Sequence, residues 1–336
     1  MDKRQGTTAM NLMRICWRWL GPILLMLMTH NSVAGDEEVI IRDRGFDREF
    51  KIKYPDECIS YQFDIDSLPY SKLSNITYSE KTLNDTSGFI DGDGIAMTKY
   101  RGRLYYHPVN MCHRAFQIVA AYRETGDSTY LHLAERHVKR LIKESHEYDG
   151  AIYYTYAMNH KVHSQNRALL TAPWYSGMAQ GEILGLMVRM FWATGDSIYV
   201  EYARRTFRSF LRPRGGFEPW TVFVDHTGCY WIEEYPTEDP SKTLNGFIYA
   251  LYGVYDYYLL TNDDQVKKVL TDCLSTLKNY IPSYRRPGQA SFYGLEFRHW
   301  SQPYHKVHVR QLRQLYKISK DQFFNEWANI FEQDFH

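Results

Sequence analysis

Two regimes of hydrophobic patterning divide the chain. From about Asp36 to Gly102 apolar and polar residues alternate or cluster in short runs, as in Val39-Ile40-Ile41 and Phe50-Lys51-Ile52-Lys53-Tyr54. The glycine turn Asp91-Gly92-Asp93-Gly94 then follows. This spacing predicts short strands and turns in a small β-rich extension over residues 35–102. The Asp91–Gly94 turn is too short for an EF-hand loop. After Pro108 apolar residues return three and four apart, at Val109, Cys112, Phe116, Val119 and Ala120, which predicts helices to the C-terminus.

A repeat organises that helical part. Tyr122-Arg-Glu-Thr-Gly-Asp127, followed by Tyr130, Leu131, Ala134 and Val138, is matched by Phe191-Trp-Ala-Thr-Gly-Asp196, followed by Tyr199, Val200, Ala203 and Phe207. Weaker copies lie at Leu260–Asp264 and Lys317–Asp321, a period of roughly 60 to 70 residues. In each strong copy Gly126 or Gly195 can end one helix and the following Asp can cap the next. Residues Ala179–Phe191 and Asn245–Tyr258 are apolar nearly all round, whereas Glu135–Glu144 and Arg204–Arg208 carry a charged face. Inner helices alternating with outer ones make the predicted fold mainly α: an incomplete (α/α) toroid over residues 103–336.

The first segment is of another kind. Lys3, Arg4, Arg14 and Arg18 precede the apolar run Leu20–Met28 and then Ser32-Val33-Ala34. The run holds roughly nine residues with Pro22 among them, against ~20 for a membrane span, so residues 1–34 are expected to be a signal peptide of a secreted or periplasmic protein. An uncleaved anchor is the alternative. The net charge of +1 gives no basic excess for nucleic acid, and a mean hydropathy of −0.49 excludes a multi-span membrane protein. The 28 Tyr and 8 Trp exceed ordinary packing needs and suit the faces of sugars. Cys58, Cys112, Cys229 and Cys273 lie outside the leader at spacings that suggest no zinc site, and their pairing stays open among three connectivities.

A toroid collects its functional residues where loops enter the inner helices. Here those loops are Tyr105-Tyr106-His107-Pro108, leading to Asn110, then Pro173-Trp174-Tyr175-Ser176, Glu233-Glu234-Tyr235-Pro236, and Tyr304-His305-Lys306-Val307-His308. Such loops rarely concentrate aromatic and titratable groups without a use. Seen alone, each has a plainer reading: a packed helix entrance at Pro173–Gly181, helix-start carboxylates at Glu233 and Glu234, surface imidazoles at His305 and His308. Tyr249, Tyr252, Tyr255 and Tyr258 recur at helical spacing and read mainly as core.

Taken together, Trp174-Tyr-Ser-Gly-Met-Ala-Gln-Gly181, Glu233-Glu-Tyr-Pro-Thr237, Leu244-Asn-Gly-Phe-Ile-Tyr-Ala-Leu-Tyr-Gly253, and the stretch from Phe292-Tyr293 through Arg298-His299 to Tyr304 and Gln311-Leu312 resemble the D-glucuronyl C5-epimerase family. The resemblance covers Tyr105 to the end. Arg298 lies two residues farther from Tyr293 than the family spacing. The resemblance implies conversion of D-glucuronate to L-iduronate within a heparosan-type chain, without cofactor or metal, an anionic polysaccharide as partner, and room for a homodimer. It maps catalytic roles onto Glu234, Tyr235, Tyr293 and Tyr304. Substrate contacts fall on Trp174, Tyr175, Ser176, Met178, Gln180, Asn245, Tyr249, Arg298, His305 and His308, joined by Tyr106, His107 and Asn110.

Epimerisation at C5 needs two proton-transfer groups flanking the ring, one starting deprotonated and the other protonated. Glu234, ionised at its ordinary carboxylate value, and Tyr304, holding its proton, form the expected pair. A cation must also offset the substrate carboxylate, for which Arg298, His305 and His308 are the sequence candidates. Arg298, Lys306, Arg310 and Arg313 are expected to draw a polyanion to the rim. A polysaccharide lyase would start with the same proton abstraction and then expel the C4 group. A silent glycan binder would keep the cleft without the chemistry.

Overall fold

The computed structural model describes residues 38–42, 49–74, 88–164 and 168–336. The expected leader at 1–34 lies outside the described residues, and no helix among them is long and apolar enough to cross a membrane.

Four helix hairpins carry the fold: α1 (Pro108–Thr125) with α2 (Ser128–Lys143), α3 (Gly177–Thr194) with α4 (Ile198–Phe207), α5 (Leu244–Thr261) with α6 (Asp264–Tyr280), and α7 (Gln302–Ser319) with α8 (Gln322–Asp334). The sequence repeat is visible in how each pair turns. Gly126, Gly195, Asn262 and Lys320 all sit in the left-handed region, with φ of 72°, 71°, 49° and 56°, closing the first helix of their pair. Asp127, Asp263 and Asp321 then accept backbone N–H groups at the start of the second helix, and Asp196 does the same for Ile198 through Oδ1 at 2.9 Å. The two weak copies therefore form the same turn as the strong ones, with Asn262 and Lys320 taking the conformation that glycine takes elsewhere.

The inner helices α3 and α5 are buried around almost their whole circumference. They cross so closely that Gly253 lies against the Gly181 carbonyl and Gly181 against the Ala250 backbone. A Cβ at either glycine would overlap main-chain atoms. One buried ion pair, Arg189 to Asp256 at 2.9 Å, joins them away from the loop ends. The amphipathic α2, α4 and α6 lie outside, with only a stripe of each buried.

Short strands decorate the loop end. β1 (Glu38–Arg42) pairs with β2 (Glu49–Lys53), and β3 (Phe89–Ile90), β4 (Ala96–Tyr100) and β5 (Arg103–Tyr105) form a three-stranded antiparallel sheet before α1. Between α2 and α3, β6 (Ser145–Tyr148) and β10 (Trp174–Tyr175) flank β7 (Ala151–Tyr156), while β8 (His160–Lys161) pairs with β9 (Leu169–Leu170). The hairpin of β11 (Val222–Val224) and β12 (Tyr230–Ile232) precedes α5.

Among the described residues of the extension, the stretch directly after β2 is not strand. From Tyr54 to Ser74 the chain is a strap whose backbone groups find partners on the helices: Tyr61 N–H donates to Ser275 Oγ at 3.0 Å, Asp66 N–H to the Ile318 carbonyl at 2.8 Å, and Leu68 N–H to the Tyr255 hydroxyl at 2.9 Å. A disulfide between Cys58 and Cys229 pins the strap beside β12, and Cys112 and Cys273 are buried free thiols. The bridge closes a loop of 171 residues. Replacing both Cys58 and Cys229 by Ser is expected to cost about 2–5 kcal/mol, lowering the thermal midpoint while helical circular dichroism persists. An unchanged midpoint would show that the helix contacts hold the strap alone.

Candidate active site

The entry loops of all four inner helices meet around a cavity of about 500 Å³. Its carboxyl group comes from the loop between β12 and α5, and the local chain makes that placement rigid. Glu233, 1% exposed, turns inward, and its carboxyl accepts the N–H groups of Tyr235 and Lys242, both at 2.9 Å. Its carbonyl accepts the first N–H of α3 from Gly177 at 2.8 Å, and Gly177 cannot carry a side chain because a Cβ would meet that same oxygen. Lys242 is held in turn by Asp225, at 3.0 Å. Asp225 also accepts hydrogen bonds from Thr227, Trp231 and Tyr280, and against the cost of burial these donors and Lys242 hold its carboxyl well below the usual carboxylate range. Glu233 thus fixes the loop, which leaves Glu234 to face the cavity.

Glu234 is 8% exposed and rests on Gly246, where any Cβ would strike its carboxyl. The Tyr293 phenol donates to its two oxygens at 3.4 and 3.3 Å, and the Tyr235 and Tyr293 hydroxyls lie 3.5 Å apart. Burial pushes the Glu234 pKa up to about 8, helped by the charge of Glu233 and opposed by the tyrosine hydrogen bonds. This corrects the expectation of an ordinary ionised carboxylate: near neutral pH Glu234 holds its proton more often than not. Tyr293, also expected at the reacting centre, lies behind Glu234 and is 5% exposed. Tyr304, 40% exposed, faces the cavity from the start of α7, and its ring meets Tyr293 edge-on at 4.6 Å. Burial and the nearby Glu234 raise its pKa.

The opposite wall is aromatic. Trp174 stacks on Tyr156 with ring centres 4.0 Å apart, and His160 lies parallel to both Trp174 and Tyr235, at 6.0 and 5.5 Å. The Trp174 indole N–H donates to the Met158 carbonyl at 2.8 Å, which fixes the plane. Asn245, Tyr249, Ser176, Met178, His107 and Asn110 complete the lining from the expected set. The Asn110 amide donates to Thr98 Oγ1 at 2.8 Å, and burial lowers the His107 pKa to about 4, so this imidazole is neutral.

Six expected contacts are placed elsewhere. Tyr175 turns away from Trp174, as neighbours on a strand must, and its hydroxyl joins His146 at 2.7 Å and Tyr148 at 3.0 Å. Gln180, 0% exposed, spends its amide on the Ile152 carbonyl, Ser209 and Tyr154 N–H. Tyr106 donates to Asp91 at 2.7 Å beneath Arg140. His305 and His308 are buried against Ser291 with lowered pKa values, about 3 for His308, because desolvation disfavours the imidazolium. Neither supplies a cation. Arg298 is exposed at φ 48° and meets the Tyr54 phenol instead. At the rim, Arg310 acts on Tyr249, while Arg313 pairs with Glu332 at 2.6 Å.

Sequence reasoning missed Thr98, Tyr100, Tyr156 and His160, which come from strands without a motif, and Met158 in the bend between β7 and β8, and it missed one ion pair. His113, on the cavity face of α1, meets the buried Glu182 of α3 at 2.7 Å, Nε2 to Oε1. The signal was present: Glu182 is the one carboxylate in the apolar run from Gly177 to Val188.

Residues 146–333 match the family model described as D-glucuronyl C5-epimerase C-terminus. A D-glucuronyl C5-epimerase of Caenorhabditis elegans is 29% identical over 189 residues, 49% of this chain and 29% of that protein. An uncharacterised protein of Methanocaldococcus jannaschii is 27% identical over 157 residues, 46% of this chain and 50% of that protein. The matches thus span between about a third and a half of those relatives. Among solved structures, a sugar epimerase from a ruminal bacterium superposes with a TM-score of 0.54 at 15% identity, covering 76% of this chain and 69% of that one. The cellobiose 2-epimerase of Spirochaeta thermophila gives 0.51 at 12%, covering 74% and 64%. At such identities these two speak for the helical toroid alone.

Proposed function

Because the chain belongs to the family of the D-glucuronyl C5-epimerase C-terminus, we propose that it is an isomerase inverting C5 of uronate residues within a heparosan-type polysaccharide. The observation that carries this reading is a buried carboxyl and a half-exposed phenol, Glu234 and Tyr304, facing one aromatic cavity and joined through Tyr293. The stacked pair Tyr156 and Trp174 offers a flat face to a pyranose ring, and Asn245 and Tyr249 offer polar contacts to its hydroxyls.

In one direction the ionised Glu234 takes the C5 hydrogen, the electrons of that bond pass into the carboxylate, and Tyr304 returns a proton to the other face. The Tyr304 phenolate then regains a proton from solvent while Glu234 gives its own up to solvent, and the reverse direction exchanges the roles. Tyr293 does not touch the ring in this scheme. It steadies the Glu234 carboxylate by donating to it.

Incubating the protein with heparosan in deuterated water tests the proposal. Deuterium is expected at C5 with iduronate appearing and chain length unchanged. Chain cleavage with an unsaturated terminal uronate would instead mark a lyase, and absence of exchange a binder. The pH profile carries a second expectation. Since Glu234 must lose its proton and its pKa lies at about 8, exchange with glucuronate as substrate should rise with pH up to that region. A rate already flat from pH 5 upward would remove Glu234 as the base.

A further inference from the structure

Charge inside the cavity poses a problem for a uronate ligand. Among the described residues no Lys or Arg lines it, and the buried carboxyl of Glu182 beside it would, as an anion, repel a carboxylate. Every arginine or histidine that the sequence offered for this task is exposed elsewhere or buried neutral. Among the lining imidazoles, His107 and His160 have lowered pKa values through burial.

His113 differs. Its Nε2 is 2.7 Å from Oε1 of Glu182, a carboxyl whose side chain is 0% exposed and whose other oxygen has no hydrogen-bond partner. A carboxylate enclosed between α1 and α3 with one ligand persists as an anion only if that ligand is a cation. The imidazole is 42% exposed, lines the cavity, and leaves its Nδ1 edge unpartnered among the described residues. The charge of Glu182 raises the His113 pKa against the opposing effect of burial. The groups facing it are Glu182 of α3, Tyr249 of α5 with its ring 6.2 Å away, and His107, which caps the start of α1.

We propose that His113, charged by Glu182, receives the carboxylate of the substrate uronate and is the residue that selects an acidic sugar over a neutral one. The proposal rests on the uronate reading of the cavity. During proton abstraction the C5–H electrons move into that carboxylate, so an Nδ1–H donor aimed at it holds the developing charge of the enediolate. The arrangement also makes selection depend on pH. The imidazolium is present at acid pH and is lost as pH rises through its raised value.

The test compares a heparosan hexasaccharide with its carboxyl-reduced counterpart by calorimetric titration. For the wild-type protein the acidic sugar is expected to bind about tenfold or more tightly than the reduced one. His113→Gln should abolish that ratio by weakening the acidic sugar alone. Glu182→Gln should weaken it near neutral pH and restore it at about pH 5.5, where an imidazole without its carboxylate is protonated by solvent. A purely structural role for the pair would not be rescued by acid. Equal losses for both sugars in His113→Gln, or an unchanged ratio, would overturn the inference, as would loss of the ratio in Arg310→Gln with His113→Gln unaffected. Failure of the wild type to bind the acidic sugar at all would instead overturn the uronate reading itself.

Discussion

Glu234→Gln is expected to lower C5 hydrogen exchange by about 10²- to 10⁴-fold and, at the same time, to raise thermal stability at alkaline pH. The loss follows from geometry, since glutamine keeps the contact with Tyr293 and rests on Gly246 but takes no proton. The gain follows from linkage. The folded-state pKa of about 8 lies above the unfolded value, so the stability linked to that proton is whole below about pH 4.5 and is lost as pH rises through about 8. Ionising this buried group costs on the order of a few kcal/mol, which the amide avoids. Melting curves should therefore coincide at acid pH and separate at pH 9, with the variant higher. Tyr304→Phe should match the catalytic loss without the alkaline gain, because Tyr304 is 40% exposed. A variant at either position that retains wild-type exchange would remove that residue from the proton-transfer pair.

The largest expected effect on stability is at Gly253. A methyl group there runs into the Gly181 carbonyl and the backbone around Gly185, none of which can rotate aside. Ordinary overpacking costs about 1–3 kcal/mol, and a clash of main chain against main chain between two buried helices should exceed that range. Gly253→Ala is thus expected to lower the denaturation midpoint sharply or to leave the protein insoluble. Gly195→Ala, at an open turn with φ 71°, should cost only about 1 kcal/mol. Similar midpoints for the two variants would show that α3 and α5 have room to part.

These examples indicate which parts of the molecule the sequence could reveal. The hairpins were legible because a left-handed cap followed by an acidic N-cap leaves the same signature in each copy, even where Asn262 and Lys320 replace glycine. Glu234, Tyr235, Trp174 and Asn245 were legible as parts of motifs that enter helices. Direction of pointing was not. Trp174 and Tyr175 are neighbours in sequence, yet one faces the cavity and the other faces His146. Met178 lines the cavity, while Gln180, two residues on, is turned about 200° around α3 and caps the edge of β7. His113 was not legible because a histidine on a largely buried helix is usually core, and its partner Glu182 lies 69 residues away in sequence.

The repeated hairpin has a consequence for how such a protein can change over generations. Each inner helix begins at the cavity and ends in a capped turn; an 18-residue helix such as α1, α3, α5 or α7 separates the two by about 27 Å. Substitutions in the entry loops can reshape the ligand without disturbing the turns, and substitutions in the turns can adjust folding without touching the ligand. Four loops, each on its own scaffold unit, give selection four nearly independent handles on specificity. The exception is Glu182, whose place within α3 ties selectivity to the packing of the core, so adaptation toward neutral sugars should proceed through the loops and through His113 sooner than through its buried partner.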